Sequence, residues 1–173
     1  MDAEKLLKHM AWANLEIIGK LQNLPDSALD AFSTNPEWTV REISRHICSS
    51  ATWYGWRLLD KSQLSQPELD SLQKKLDATE IPAETAQQIP ILLEKMREAD
   101  AVLLEAARLP EGVIEREVDG KRIVRGRSTV ISQAIHHATE HRAQLVSALE
   151  VRGFTSINLD DYDLWAYCDI FGE

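Results

Sequence analysis

The apolar positions of this chain recur with a helical period over four long stretches, each ending at helix punctuation. From about Asp2 to Leu24, the residues Leu6, Met10, Ala13, Ile17, Leu21 and Leu24 fall on one stripe. Pro25 stops this helix, because the residue before a proline is pushed out of the helical region. A second helix is predicted from Trp38-Thr39 to about Leu59. Thr39 and Glu42 have the capping-box spacing, in which each side chain satisfies an orphaned backbone N–H of the other. The inward face of this helix reads Val40, Ile43, His46, Ile47, Ser50, Tyr54 and Leu58.

Residues 61–83 are polar, hold Pro67 and Pro82, and read as a loop with at most a short helix. A third helix begins between Thr85 and Pro90, since proline fits only within a first turn. Its stripe is Ile91, Leu92, Met96, Ala99, Val102, Leu103 and Ala106, and Leu109-Pro110-Glu111-Gly112 ends it. From Val113 to Arg127 the helical pattern breaks. Val118-Asp119-Gly120-Lys121 predicts a hairpin, because Asp-Gly tolerates the positive φ of a type I′ turn. A fourth helix runs from Ser128 or Thr129 to about Arg152, with Gly153 just past its end. The tail from Asn158 to Glu173 carries Tyr162, Leu164, Trp165, Tyr167 and Phe171, and is expected to pack on the rest as a short helix or turn. The pattern predicts an all-α fold: a four-helix bundle with a short β-hairpin between its third and fourth helices.

Composition narrows the picture. A length of 173 residues suits one domain, 1–173, with a sizeable core. The net charge of −9 argues against a nucleic-acid partner, which needs a basic patch. The one dense basic cluster, Lys121, Arg122, Arg125 and Arg127, reads as a solvated loop. No apolar run approaches the ~20 residues of a membrane span, and the charged start shows no signal-peptide pattern. Cys48 and Cys168 form no disulfide framework or CxxC motif, which points to a cytoplasmic protein.

The histidines carry the chemistry. His137 and His141 are one turn apart, about 40° from each other on the helical wheel, and both border the apolar face of the fourth helix. Two imidazoles there would each lose hydration without a partner, and a metal ion satisfies both at once. His46 lies mid-helix on an inward face and supplies a third ligand. Three imidazoles leave an open coordination position, the arrangement of a catalytic metal. His9 reads as structural or exposed and His136, about 100° from His137, as exposed. Cys48 faces about 200° away from His46, outside any shared site.

Three stretches resemble the DinB family of damage-inducible metal-binding proteins. They are Ala11-Trp12-Ala13-Asn14 in the first helix, Trp38-Thr39-Val40-Arg41-Glu42-Ile43-Ser44-Arg45-His46-Ile47 in the second, and His137-Ala138-Thr139-Glu140-His141-Arg142-Ala143-Gln144 in the fourth. The last resembles the family's H-x-x-x-H-R-G-Q pattern, with Ala143 where many members have glycine. The resemblance spans nearly the whole chain. It implies an up-down-down-up bundle with the metal near one end, and His46, His137 and His141 as the ligands of nickel or zinc. It also implies a homodimer. The family's activities include thiol-dependent transfer and isomerisation with a low-molecular-weight thiol, beside members described as hydrolases.

A divalent cation held by neutral ligands can activate water or a thiol, so two enzymatic readings follow, each with a small-molecule substrate. A hydrolase needs a general base, and Glu16 and Glu140 are candidates that otherwise read as solvated. A thiol transferase needs a cationic or polar pocket, for which Arg57 and Arg142 are candidates that otherwise read as surface ion-pair residues. Trp12, Trp53, Tyr54 and Trp56 read as packing. The rival from another class is a non-catalytic metal-binding or stress-response module. An open fourth position favours the enzyme, a plugged one the module.

Overall fold

The structure, a computed structural model, describes residues 2–172. Met1 and Glu173, the ends of the charged start and of the predicted tail, lie outside the described residues. Helix α1 (Ala3–Lys20) opens on Asp2, whose carboxylate accepts from the backbone N–H groups of Glu4 and Lys5. It buries Leu7, Met10, Ala13, Ile17 and Ile18, so the core face is turned slightly from the expected stripe and Leu6 is only half-buried. A 3₁₀ turn, Leu21–Asn23, carries the chain to Pro25. Helix α2 (Val40–Leu58) starts where its cap predicted. Thr39 Oγ1 accepts from the Glu42 N–H at 3.3 Å, but the Glu42 carboxylate accepts from Arg45 Nε at 2.9 Å instead of completing the box. A charge-assisted bond outcompetes a neutral backbone donor.

The segment expected to be a loop with at most a short helix contains a longer one of fourteen residues, α3 (Gln66–Thr79). Ser65 and Glu68 form a full capping box, and Pro67 sits in the first turn. Leu69 and Leu72 are half-buried and Leu76 and Thr79 buried, a narrow helical stripe that packs on α2. Helix α4 (Ile89–Ala107) has Pro90 in its first turn and buries Ile89, Leu92, Leu93, Met96, Ala99, Leu103 and Ala106. Ile91, placed inward by the sequence pattern, is 54% exposed. Ile89 holds the inward place, and two residues turn the helix by about 200°.

Strands β1 (Val113–Val118) and β2 (Lys121–Gly126) pair antiparallel, with Val118 opposite Lys121. Asp119 and Gly120 have φ of 51° and 72°, the left-handed pair that a two-residue I′ turn requires. Helix α5 (Arg127–Val151) follows directly, and Gly153 beyond its end adopts φ 84°. The tail forms a 3₁₀ turn, Leu159–Tyr162, and helix α6 (Leu164–Phe171).

Two buried clusters fix the direction of the long helices. One joins Ile17, Ile18 and Leu21 from the end of α1, Val40, Ile43 and Ile47 from the start of α2, Ile89, Leu92 and Met96 from the start of α4, and Leu145 and Leu149 from the end of α5. The other joins the opposite ends: Leu7 and Met10, Leu58, Leu103 and Ala106, Ile131 and Ala134. Hence α1 and α5 run one way, α2 and α4 the other, which is the up-down-down-up order. Parallel α2 and α4 need a long return connection, and α3 lies on it. These two approach closely at Gly55, where a Cβ would lie 3.2 Å from Val102 Cγ1 and 3.3 Å from the Leu103 backbone nitrogen.

Arg127, read from sequence as part of a solvated cluster, is folded inward. Its guanidinium donates to the carbonyls of Leu58, at 2.6 Å, and Ala106, at the C-terminal ends of α2 and α4. A cation there meets the negative ends of two parallel helix dipoles. Arg122 pairs with Glu115 across the hairpin. The tail packs on α1: Trp12 meets Tyr162, Tyr167 and Phe171 at ring distances of 5.6–6.3 Å. His9 Nε2–H donates to the Tyr162 carbonyl at 2.9 Å, which gives it the structural role anticipated. Both cysteines are free, and no helix of the described residues is long and apolar enough to cross a membrane.

Candidate metal centre

Antiparallel α2 and α5 lie side by side, and their facing positions form a ladder. On α2 it runs His46, Ser50, Tyr54, Arg57; on α5, in reverse, His141, His137, Gln133, Val130. These are steps of three and four residues, so each set shares one helix face. The three predicted histidines meet at one end of the ladder. His137 Nε2 lies 3.1 Å from His46 Nε2 and 3.1 Å from His141 Nε2. Nitrogens bound to a tetrahedral ion at ordinary zinc–imidazole distances would stand about 3.3 Å apart. The spacing is thus that of a ligand set, and all three rings are half-buried. No cysteine, aspartate or glutamate joins the cluster among the described residues. The Ser50 hydroxyl lies 3.5 Å from His46 Nε2.

Hydrogen bonds behind His141 settle its tautomer. Trp38 Nε1–H, which can only donate, gives its proton to Gln144 Oε1 at 2.8 Å. The same oxygen lies 2.8 Å from His141 Nδ1, so that nitrogen must carry a hydrogen. A neutral His141 therefore presents the bare lone pair of Nε2 to the centre. An outer hydrogen bond that fixes a ligand's ring and tautomer is a recurrent feature of histidine metal sites. The Trp38 ring also covers His46 and His141, at 5.1 and 5.5 Å between centroids. Sequence reasoning gave Trp38 and Gln144 no such role. The spacing of His141 and Gln144, three residues on one helix, was the available signal.

The electrostatics suit ligation. Burial, reinforced by the neighbouring His141, His137 and Arg45, pushes His46 down to about 4. Burial, with His141 beside it, also holds His137 below its ordinary range. Both rings are neutral at neutral pH, the state in which imidazole binds a cation. His136 is exposed and outside the cluster, as expected. Cys48 is buried on the far side of α2 and burial raises its thiol to about 12, so it is inert.

The other candidates separate. Glu16 and Glu140 are exposed and neither joins the cluster. Arg142, expected at the surface, is buried at 5% exposure and donates to Asn14 Oδ1 at 2.7 Å and Thr139 Oγ1 at 3.0 Å. It lies in a polar knot with the buried carboxylate of Asp100. Arg57 is half-buried over the Trp53 ring, 5.3 Å from its centre. Tyr54 packs on the triad itself, its ring T-shaped to His137 at 5.7 Å between centroids. Ala143 is exposed and lies about 200° around α5 from His141, so the departure from the H-x-x-x-H-R-G-Q pattern leaves the three histidines untouched.

No curated protein and no solved structure gives a significant match to this sequence. The sequence model of the DinB family matches residues 1–168, with all three converging histidines inside the matched span, and the chain belongs to the DinB family.

Proposed function

We propose that the protein is a metal-dependent enzyme in which His46, His137 and His141 hold one divalent cation, nickel or zinc, and that it catalyses transfer of a thiol to a small electrophilic substrate. The observation that carries this reading is the convergence of three Nε2 atoms with no fourth metal-binding side chain beside them. A position left open is what distinguishes a catalytic site from a structural one. Thiol transfer is favoured over hydrolysis because no carboxylate oxygen joins the imidazole cluster, and Glu140, whose charge reaches His137, is exposed to solvent. The cation's contribution is to lower the pKa of a thiol brought beside it. The chain's own residues orient the ligands through Gln144 and Trp38 and exclude water on one side with the Trp38 ring. In the transfer the thiol proton leaves to solvent, sulfur forms a bond to carbon, and the leaving group departs with the electron pair of the broken bond.

The test combines metal analysis with a conjugation assay, using an aryl chloride and a panel of small thiols. Chelation should abolish conjugation, and added zinc or nickel should restore it. The rate should also fall in acid, as protons compete for the ligand imidazoles. His136→Ala should leave it unchanged. Conjugation that survives complete metal removal would defeat this reading.

We further propose a two-fold homodimer through the tail. Helix α6 leaves Trp165 80%, Ile170 61% and Phe171 52% exposed, an unusual amount of apolar surface for eight residues. Sedimentation at tens of micromolar should give a dimer, and Trp165→Glu should shift it toward monomer. A wild-type chain that sediments only as a monomer would overturn this proposal.

A further inference from the structure

The hairpin puts two arginines on the face that looks onto the helices, though both stay exposed. Pairing places Ile114 opposite Arg125 and Arg116 opposite Ile123, so these four side chains share one face of the ribbon. The hairpin's two glutamates, Glu115 and Glu117, fall on the other face, where Glu115 pairs with Arg122. The Ile114 face looks toward α2 and α5 and roofs a cavity of about 210 Å³. Arg57 and Tyr54 of α2 and Gln133 of α5 line its walls. No carboxylate lines it, and none of Arg57, Arg116 and Arg125 forms an ion pair among the described residues.

Three guanidinium groups around one hollow repel each other, and the half-buried Arg57 also loses hydration, while Arg116 and Arg125 reach the hollow from the exposed ribbon. Burial holds the Arg57 guanidinium below its usual range, and the nearby Arg116 charge adds to the effect. Such an arrangement is stabilised by an anion, and the planar fork of arginine fits the two oxygens of a carboxylate or phosphate. The volume lies below the ~300 Å³ typical of pockets for drug-sized ligands, which limits the occupant to a small molecule or one end of a larger one. The cavity is also continuous with the ladder that carries the histidines. Tyr54 lines it and touches His137, and Gln133 is one turn, about 6 Å, from His137 along α5.

We infer that this cavity is the anion-recognition part of the substrate site: Arg57, Arg116 and Arg125 hold the carboxylate or phosphate of a small acidic substrate whose other end reaches the histidine triad. The inference rests on the enzymatic reading for the second half of that statement, whereas anion binding itself stands on the arginines alone. Tyr54 would then separate the recognised end of the substrate from the reacting end. The hairpin, which adds little to the bundle core, acquires a purpose as the roof that brings Arg116 and Arg125 over the helices.

The experiment is a calorimetric titration of the full-length chain at low ionic strength with glutarate, with inorganic phosphate, and with chloride as the control. It is run with and without added zinc. Saturable binding of glutarate or phosphate at one per chain is expected, with chloride at least tenfold weaker. Stronger glutarate binding identifies a carboxylate substrate, and stronger phosphate binding a phosphorylated one. Arg116→Ala and, separately, Arg57→Gln should each weaken binding about tenfold, while Arg122→Ala on the outer face leaves it unchanged. Arg116→Lys, which keeps the charge and loses the fork, should fall between. Circular dichroism reports whether each variant is folded, and Arg125→Ala serves if either is not. Absence of saturable anion binding, or binding indifferent to all three arginines, overturns the inference. A zinc titration of the same samples separates the two readings: zinc bound without an arginine-dependent anion site refutes only this one, and an anion site without zinc affinity refutes only the metal reading.

Discussion

Replacing His137 by alanine should reduce affinity for zinc or nickel more than 100-fold while leaving a folded helical protein. His137 is the ligand to choose because its Nε2 is the common neighbour of the other two, at 3.1 Å from each. Its loss leaves two imidazoles from different helices, with no carboxylate or thiol near enough to substitute. Supporting groups should matter less: Gln144→Ala frees the His141 ring to turn or change tautomer, and about a tenfold loss is expected. The fold should persist because the triad is half-buried beside two aliphatic clusters rather than at their centre. Competition with a chelating dye gives the affinities, and far-ultraviolet circular dichroism at 25 °C checks the fold. Unfolding of His137→Ala would mark the metal as structural. An affinity equal to that of His136→Ala would remove His137 from the site.

Asp100→Asn should change the pH dependence of stability by an amount large enough to see in any denaturation experiment. Asp100 is buried on α4 with neither carboxylate oxygen hydrogen-bonded, and burial raises it to about 7 despite the opposing pull of Arg142. An unfolded aspartate titrates near 3.8. Between these values the folded chain holds a proton that the unfolded chain has released, so wild-type stability falls as pH rises from about 4 to 7. The slope from this group approaches 1.4 kcal/mol per pH unit, or about 4 kcal/mol across the window. Asparagine cannot ionise and removes that slope. The stability of the variant minus that of the wild type should therefore rise by about 4 kcal/mol from pH 4 to pH 7 and stay constant above it. The new amide has its own cost of burial, which shifts the whole curve and leaves the slope difference intact. Parallel stability curves from pH 4 to 7 would show that Asp100 is ionised throughout.

The location of Asp100 and Arg142 also marks where sequence reading stops. Helical phase placed His46, His137 and His141 inward correctly, because three or four residues along one helix fix a shared face whatever surrounds it. The same reasoning put Arg142 at the surface. Its partners, Asn14 from α1 and Asp100 from α4, lie far away in the chain, and nothing within α5 announces them. Arg127 is a similar case: its acceptors are carbonyls at the ends of α2 and α4, which meet only because those helices run parallel. Helix α3 is different, since its capping box at Ser65 and Glu68 was in plain view. A mostly polar helix with one narrow apolar stripe simply gives a weak periodic signal.

Local rules thus determined the helices of the bundle, the I′ turn at Asp119-Gly120 and the inward phase of each of the three histidines, because each depends on residues within a few positions along one element. Only the tertiary structure decided that the Nε2 atoms meet at 3.1 Å, that one Gln144 oxygen serves both Trp38 and His141, and that the hairpin carries Arg116 and Arg125 to the wall that holds Arg57. Those are relations between distant segments. They are set by how the helices pack and by which face of the ribbon turns inward, and neither is encoded in the spacing of residues along any one element.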